Sequence, residues 1–185
     1  MKDNLLIVGE GQYGLIAKEI AESMGSFEKV SFLDCGENSE SIESELELLS
    51  TENKYAFAAF AGAEARVEFT RKLRKYGYGT AILISPRAYV SPSAQIMDGA
   101  MAEPFAVISG GTVIGRNCFI GANATVGCGT VVGEASTICC GATVADNVTV
   151  MPMTTVGCGE TLCGYTQSVS MRTPEGNSYC FEDGM

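Results

Sequence analysis

Three glycines, Gly9, Gly11 and Gly14, follow an apolar run at the spacing G-x-G-x-x-G, and Asp34 stands about 20 residues further on at the end of the next apolar run. Small residues there let backbone N–H groups at a helix N-terminus approach a phosphate, while the carboxylate takes a sugar hydroxyl or a base edge. Gln12 and Tyr13 lie inside the same turn and complete a candidate nucleotide- or sugar-binding set. A tight turn required only for packing explains the same glycines, so both readings stay open. The other chemistry-bearing feature is eight cysteines in a chain without histidine. No C-x-x-C pair and no Cys/His spacing suited to zinc is present, so no metal is assigned. A disulfide scaffold belongs to short secreted chains, and these cysteines read instead as small, soft core residues in a reducing compartment.

The elements that must position these residues change character along the chain. "NLLIVGEGQYGLIAKEIAESMG" reads as strand, glycine turn and amphipathic helix, with Leu15, Ile16, Glu19, Ile20 and Met24 at helical spacing. Strands "VSFLDC", "YAFAAFAG" and "TAILIS" follow, separated by an acidic segment from Glu37 to Glu52 and by the helix "EARVEFTRKLRKYG". This alternation predicts a small parallel α/β sheet, a Rossmann-like half-domain over residues 1–85. Its size suits a mononucleotide or nucleotide-sugar better than a dinucleotide.

From Val90 the period becomes six. Thirteen uninterrupted hexads run from VSPSAQ to LCGYTQ, with an aliphatic residue or Ala102 first and a small residue almost always fifth. A triangular coil of three short strands has this period, one large apolar residue pointing inward per face, and eighteen residues make one turn of it. Ile96, Ile114, Val132 and Val150 then form a ladder with coils about 4.8 Å apart. This parallel β-helix is assigned to residues 86–167 and a tail to 168–185. Cys140 and Cys158 share a hexad position on adjacent coils, Cα atoms about 5 Å apart, and two reduced thiols in a ladder are expected.

Charge and hydropathy exclude several classes. Net charge is −10, and beyond Ser85 there are three Arg, no Lys and eight acidic residues. A nucleic-acid partner, which needs cations against phosphate, is not expected. No apolar run approaches the roughly 20 residues of a membrane span, and "LLIVG" is too short for a signal peptide, so a cytoplasmic protein without membrane association is expected.

The glycine turn, Asp34, the junction "TAILISPRAYVSPSAQI" and the hexads together resemble the sugar O- or N-acyltransferases of the NeuD/PglD type, over residues 4 to about 164. The resemblance implies a left-handed β-helix, a homotrimer with active sites between neighbouring prisms, a nucleotide-sugar or small-molecule acceptor in the N-terminal domain, and acetyl-CoA or another acyl-CoA on the β-helix. It also implies a histidine base in a "TV-D-H-D" hexad. That motif falls on "TVGCG", so Gly127, Cys128 and Gly129 stand where acid, histidine and acid would be, and Tyr13 and Ser85 stand at two further histidine positions. Cys128 is therefore the catalytic candidate: a thiol is a poor base toward an alcohol, but its thiolate can attack a thioester. Gly141 and Asp146 fall near the acyl-CoA, with Asp146 in "ADNV" where the family has "A-G-N-V".

Two functions follow. One is an acyl-CoA-dependent acyltransferase on a nucleotide-activated amino sugar or related glycan precursor. The alternative is a catalytically degenerate relative acting as a trimeric scaffold or nucleotide-sugar-binding protein.

Overall fold

The computed structural model describes residues 2–9, 11–33 and 39–164, with 39–41 by backbone alone. Asp34 and the tail 168–185 lie outside the described residues. The chain divides into two compact units, Met1–Pro86 and Arg87–Met185.

The first unit carries β1 (Asp3–Val8), α1 (Gln12–Met24), β2 (Phe27–Leu33), α2 (Ser39–Leu49), β3 (Tyr55–Ala58), α3 (Ala63–Lys75), β4 (Gly79–Thr80) and β5 (Leu83–Ile84). The first four strands form a parallel sheet in the order β2-β1-β3-β4. Leu5, Leu6, Ile7 and Val8 on the central strand are all fully buried, as a strand covered on both faces requires. One face packs Leu6, Val8, Leu33, Ile42, Leu46, Ala56, Ala58, Leu73 and Tyr78 into a single cluster. The Tyr78 hydroxyl donates to the Leu46 carbonyl at 2.7 Å, and burial pushes that phenol up to about 12.

Three expectations change here. Leu15 is exposed, and α1 turns Gly14, Ala17, Ile20 and Ala21 inward instead. Close approach at Gly14 selects this small-residue face over the larger side chains. The acidic segment contains a helix, α2, because Ile42, Leu46 and Leu49 fall on one face while glutamates occupy the rest. "TAILIS" is two short strands, β4 and β5, of which β4 extends the sheet.

In the second unit each strand is two residues long and consists of the last residue of one hexad and the first of the next. Strands on each face pair in parallel with a shift of one coil, as in Val113↔Val131, Thr125↔Thr143 and Phe119↔Thr137. The first hexad positions form the core: Ile108, Ile114, Val126, Ile138 and Val144 are fully buried. Each such side chain contributes about 1.5–3 kcal/mol on burial.

The remaining hexad positions make the corners. Every fourth position from Gly99 to Gly159 has positive φ, occupied by Gly99, Gly111, Gly129, Gly141 and Gly159, by Asn117, Asn123 and Asn147, and by Phe105, Ala135 and Met153. Glycine and asparagine suit this left-handed region, whereas the last three carry its strain. Polar or thiol fifth positions stitch coil to coil: Thr112, Cys118, Thr130 and Ser136 donate to the carbonyls of Gly127, Gly133, Ala145 and Met151 at 2.9, 3.0, 2.8 and 2.9 Å. Among the described residues, no helix is long and apolar enough to cross a membrane.

Two stability predictions follow from the corners. Met153 is exposed at φ 58°, so Met153→Asn removes left-handed strain at little cost in packing. It is expected to raise stability by about 0.5–1 kcal/mol, read from urea midpoints at constant slope. Glu103 is buried, with Oε2 accepting the Ala122 N–H at 3.1 Å. Desolvation raises its carboxyl above the ordinary 4.5, against the opposing effect of that N–H. A raised folded pKa favours the native state below the unfolded value and loses that contribution as pH rises through the folded value. Glu103→Gln should therefore be relatively more stabilising at pH 7 than at pH 4, and the opposite pH trend in thermal midpoints would refute the assignment.

Candidate functional site

The glycine turn lies between β1 and α1, at the C-terminal end of the sheet. In the order β2-β1-β3-β4 the chain leaves β1 toward β2 and later returns to β3 on the other side, so the turn sits at a topological switch point. Its glycines have separate causes. Gly9 has φ 108° and donates its N–H to Leu33 O at 3.0 Å, and a Cβ there would lie 3.0 Å from Ala59 O. At Gly14 a Cβ would lie 2.0 Å from Gly9 O, so packing alone demands glycine. Gly11 differs: its φ is −63°, and a Cβ would meet nothing within 4 Å. It caps α1 without a side-chain hydrogen bond, and no acidic residue lies in the first turn. The helix thus presents its N-terminal N–H groups and partial positive charge beside an open Gly11, with Gln12 exposed and Tyr13 half-buried.

Arg66 is a residue that sequence reasoning passed over. Fully buried on α3, it donates through Nη1 to Phe60 O and Ala61 O at 3.0 and 2.7 Å, fixing the loop after β3 on the same end of the sheet as the glycine turn. Ser85, at one of the family's histidine positions, is buried.

On the β-helix, Cys128 and Asp146 occupy the third hexad position of adjacent coils at one corner, both exposed. They touch through the backbone: the Cys128 N–H donates to Asp146 Oδ1 at 2.7 Å, and the Asn147 N–H returns to Cys128 O at 2.8 Å. The corner is otherwise poor in side chains, with Gly110 and Gly111 one coil below and Gly127 and Gly129 flanking Cys128. At Gly127 a Cβ would lie 2.4 Å from Asp146 Oδ1 and 2.6 Å from Asp146 N. The backbone of the coil above thus leaves no room for a side chain at 127, as it does at Gly115, Gly121 and Gly133 in the same hexad position. Gly141 is not brought to Cys128: it forms a neighbouring corner, with φ 69° and its N–H on Ala122 O at 2.8 Å.

That neighbouring corner holds the thiol ladder. Cys140 and Cys158 are free and exposed, and the Gly159 N–H donates to Cys140 O at 3.1 Å. Burial pushes the Cys139 thiol up to about 11, reinforced by its hydrogen bond with Cys158. Among the described residues no group of three or more Cys, Asp or Glu is placed to hold a metal ion.

With this geometry in view, the class is defined by the prism: residues 93–128 match the family described as bacterial transferase hexapeptide (six repeats). The chain is similar to the acetyltransferase domain of PglB from Neisseria gonorrhoeae in complex with acetyl coenzyme A, at 25% identity and TM-score 0.72, over 89% of this chain and 93% of that one. A histidine-to-alanine variant of GDP-perosamine N-acetyl transferase from Caulobacter crescentus, in complex with CoA and GDP-perosamine, shares the fold at 22% identity and TM-score 0.74, covering 88% and 89%. WeeI from Acinetobacter baumannii shares it at 14% identity and TM-score 0.51, covering 90% and 92%. No curated protein sequence matches the chain. The resemblance to hexapeptide-repeat sugar acyltransferases therefore stands, and the Rossmann-like unit followed by a left-handed β-helix is the fold.

The cysteines offer a direct check. With Ellman's reagent at pH 8, exposed Cys128, Cys140 and Cys158 should react first. Cys139, raised to about 11, should lag, since only about one part in a thousand is thiolate at that pH. Buried Cys118 should react only on unfolding, and peptide mass mapping of its early labelling would contradict the packing described.

Proposed function

We propose that this protein is an acyl-CoA-dependent acyltransferase, an acetyltransferase in its simplest form, acting on a nucleotide-activated amino sugar or related glycan precursor. The observation that carries the reading is the similarity to the PglB acetyltransferase domain, seen with acetyl coenzyme A, over about nine-tenths of both chains. The nucleotide-sugar part is supported by the uncapped N-terminus of α1 beside Gly11 at the switch point. Gly9, Gln12, Tyr13 and Gly14 shape that turn. A homotrimer in the cytoplasm is part of the proposal.

The corner at Cys128 fits the thioester end of an acyl-CoA. Gly110, Gly111, Gly127 and Gly129 leave a ledge of bare backbone, and the Asp146 N–H forms no hydrogen bond among the described residues. When bound, acyl-CoA supplies an activated acyl group; Asp146 and Cys128 would line its reacting end, and Gly141 the adjoining corner. Arg87 and Arg116 are the only described cations of this unit, and Arg87 also lies 6.0 Å from the centre of the Phe105 ring. The phosphates thus meet few positive charges.

The second reading, a scaffold or nucleotide-sugar-binding relative without catalysis, is favoured by one observation: Gly127, Cys128 and Gly129 replace the whole acid-histidine-acid set. Calorimetric titration of the reduced protein with acetyl-CoA separates the two. A micromolar Kd, about −8 kcal/mol, is expected for a transferase. A folded trimer that binds nucleotide-sugars but no acyl-CoA would establish the scaffold. At the other site, Gly11→Ala should lower stability by no more than about 1 kcal/mol, the cost of alanine at the helix N-cap, yet weaken nucleotide-sugar binding about tenfold.

A further inference from the structure

We propose that Asp146 is the proton acceptor of this corner, binding an amine acceptor as its ammonium and taking the proton shed during transfer; the inference rests on the acyltransferase reading above. Of the side chains on the ledge formed by residues 109–111, 127–129 and 145–147, only Cys128 and Asp146 carry an acidic group. Asp146 Oδ1 is committed to the Cys128 N–H at 2.7 Å, which sets the carboxylate's orientation. Oδ2 makes no hydrogen bond among the described residues and the side chain is exposed, so one oxygen is held by the fold and the other is available to a ligand. Capping the corner needs only the first.

Charge points to a cationic acceptor. The described surface of this unit holds Arg87 and Arg116 against Asp98, Glu134, Asp146 and Glu160. An ammonium group is drawn to such a surface and gains a charge-assisted hydrogen bond at Oδ2. The reaction then asks little of the base. The ammonium releases one proton to solvent, and the neutral amine forms the C–N bond. The one further proton it sheds passes to Asp146, while the C–S bond breaks and the departing sulfur takes that proton to leave as thiol. A carboxylate suffices for this transfer, whereas an alcohol acceptor, much less nucleophilic when neutral, would need a stronger base. Asp146 thus selects amines over hydroxyls, in a corner where no imidazole is available.

The test uses the full-length protein, GDP-perosamine as the amine probe, and the matched GDP-sugar bearing a hydroxyl in place of the amine. Asp146→Asn keeps an acceptor oxygen for the Cys128 N–H, and circular dichroism should match wild type. Calorimetry without acyl-CoA should show GDP-perosamine binding weakened at least tenfold in the variant and the hydroxyl analogue unaffected. Turnover with acetyl-CoA should fall about 10²–10³-fold. Asp146→Ser, whose hydroxyl can also accept the N–H, repeats the comparison should the first variant fold poorly. Equal amine binding and turnover in wild type and variant would overturn the proposal, as would a wild type that does not bind the amine probe. Failure of the acyltransferase reading looks different: wild type would not bind acetyl-CoA, while the amine preference conferred by Asp146 would persist.

Discussion

The register of one coil upon the next governs the second unit. Each two-residue strand has only a few backbone hydrogen bonds with its neighbours, so the stack holds because every corner turns the chain alike and each turn lands in register on the coil before it. That turn is made at the fourth hexad position, where φ is positive from Gly99 to Gly159. Where the fifth position carries a hydroxyl or thiol, it ties its coil to the one above by donating to a carbonyl there, as Thr112 does to Gly127 at 2.9 Å. The corners set the register, and the inward aliphatic residues supply the burial that makes it worth keeping. Chemistry has to be placed at the corners too, because the faces present alternate side chains and the interior is filled.

Much of this was legible in the amino-acid sequence because a six-residue period has few structural solutions. Ile108, Ile114 and Val126 announce the core by position alone, and all three are fully buried. The requirement for a left-handed residue at the fourth position was harder to see, since Phe105, Ala135 and Met153 interrupt the glycine and asparagine series. In the first unit, glutamate density hid α2, whose apolar stripe is only Ile42, Leu46 and Leu49. Helical spacing likewise placed Leu15 inside α1's apolar face, because periodicity does not register that the backbone of α1 comes too close to Gly9 for anything larger than Gly14 on the inner side.

The glycine turn shows why a motif match left two explanations open. Gly9 and Gly14 are required by conformation and contact, respectively, so they would be glycines with or without a ligand. Only Gly11 lacks a steric cause, and only a structure could separate it from the other two. Its open surroundings lie at the uncapped end of α1, where backbone donors and the helix dipole favour an anion. Asp34, the carboxylate the spacing pairs with this turn, lies outside the described residues.

At the prism corner, Cys128 stands in a chain without histidine. Space limits this corner: the backbone of Ala145 and Asp146, together with the Asp146 carboxylate turned onto the Cys128 N–H, fills the volume that a Cβ at 127 would need. Glycine at 127 follows first from the backbone of the coil above, as it does at Gly115, Gly121 and Gly133, and the Asp146 side chain only adds to it. Cys128 then serves the corner through its N–H and carbonyl, both engaged with the coil above, while its thiol stands free in solvent with no imidazole to activate it. The ionisable groups of this corner are a thiol in solvent and a carboxylate that the backbone holds through one oxygen.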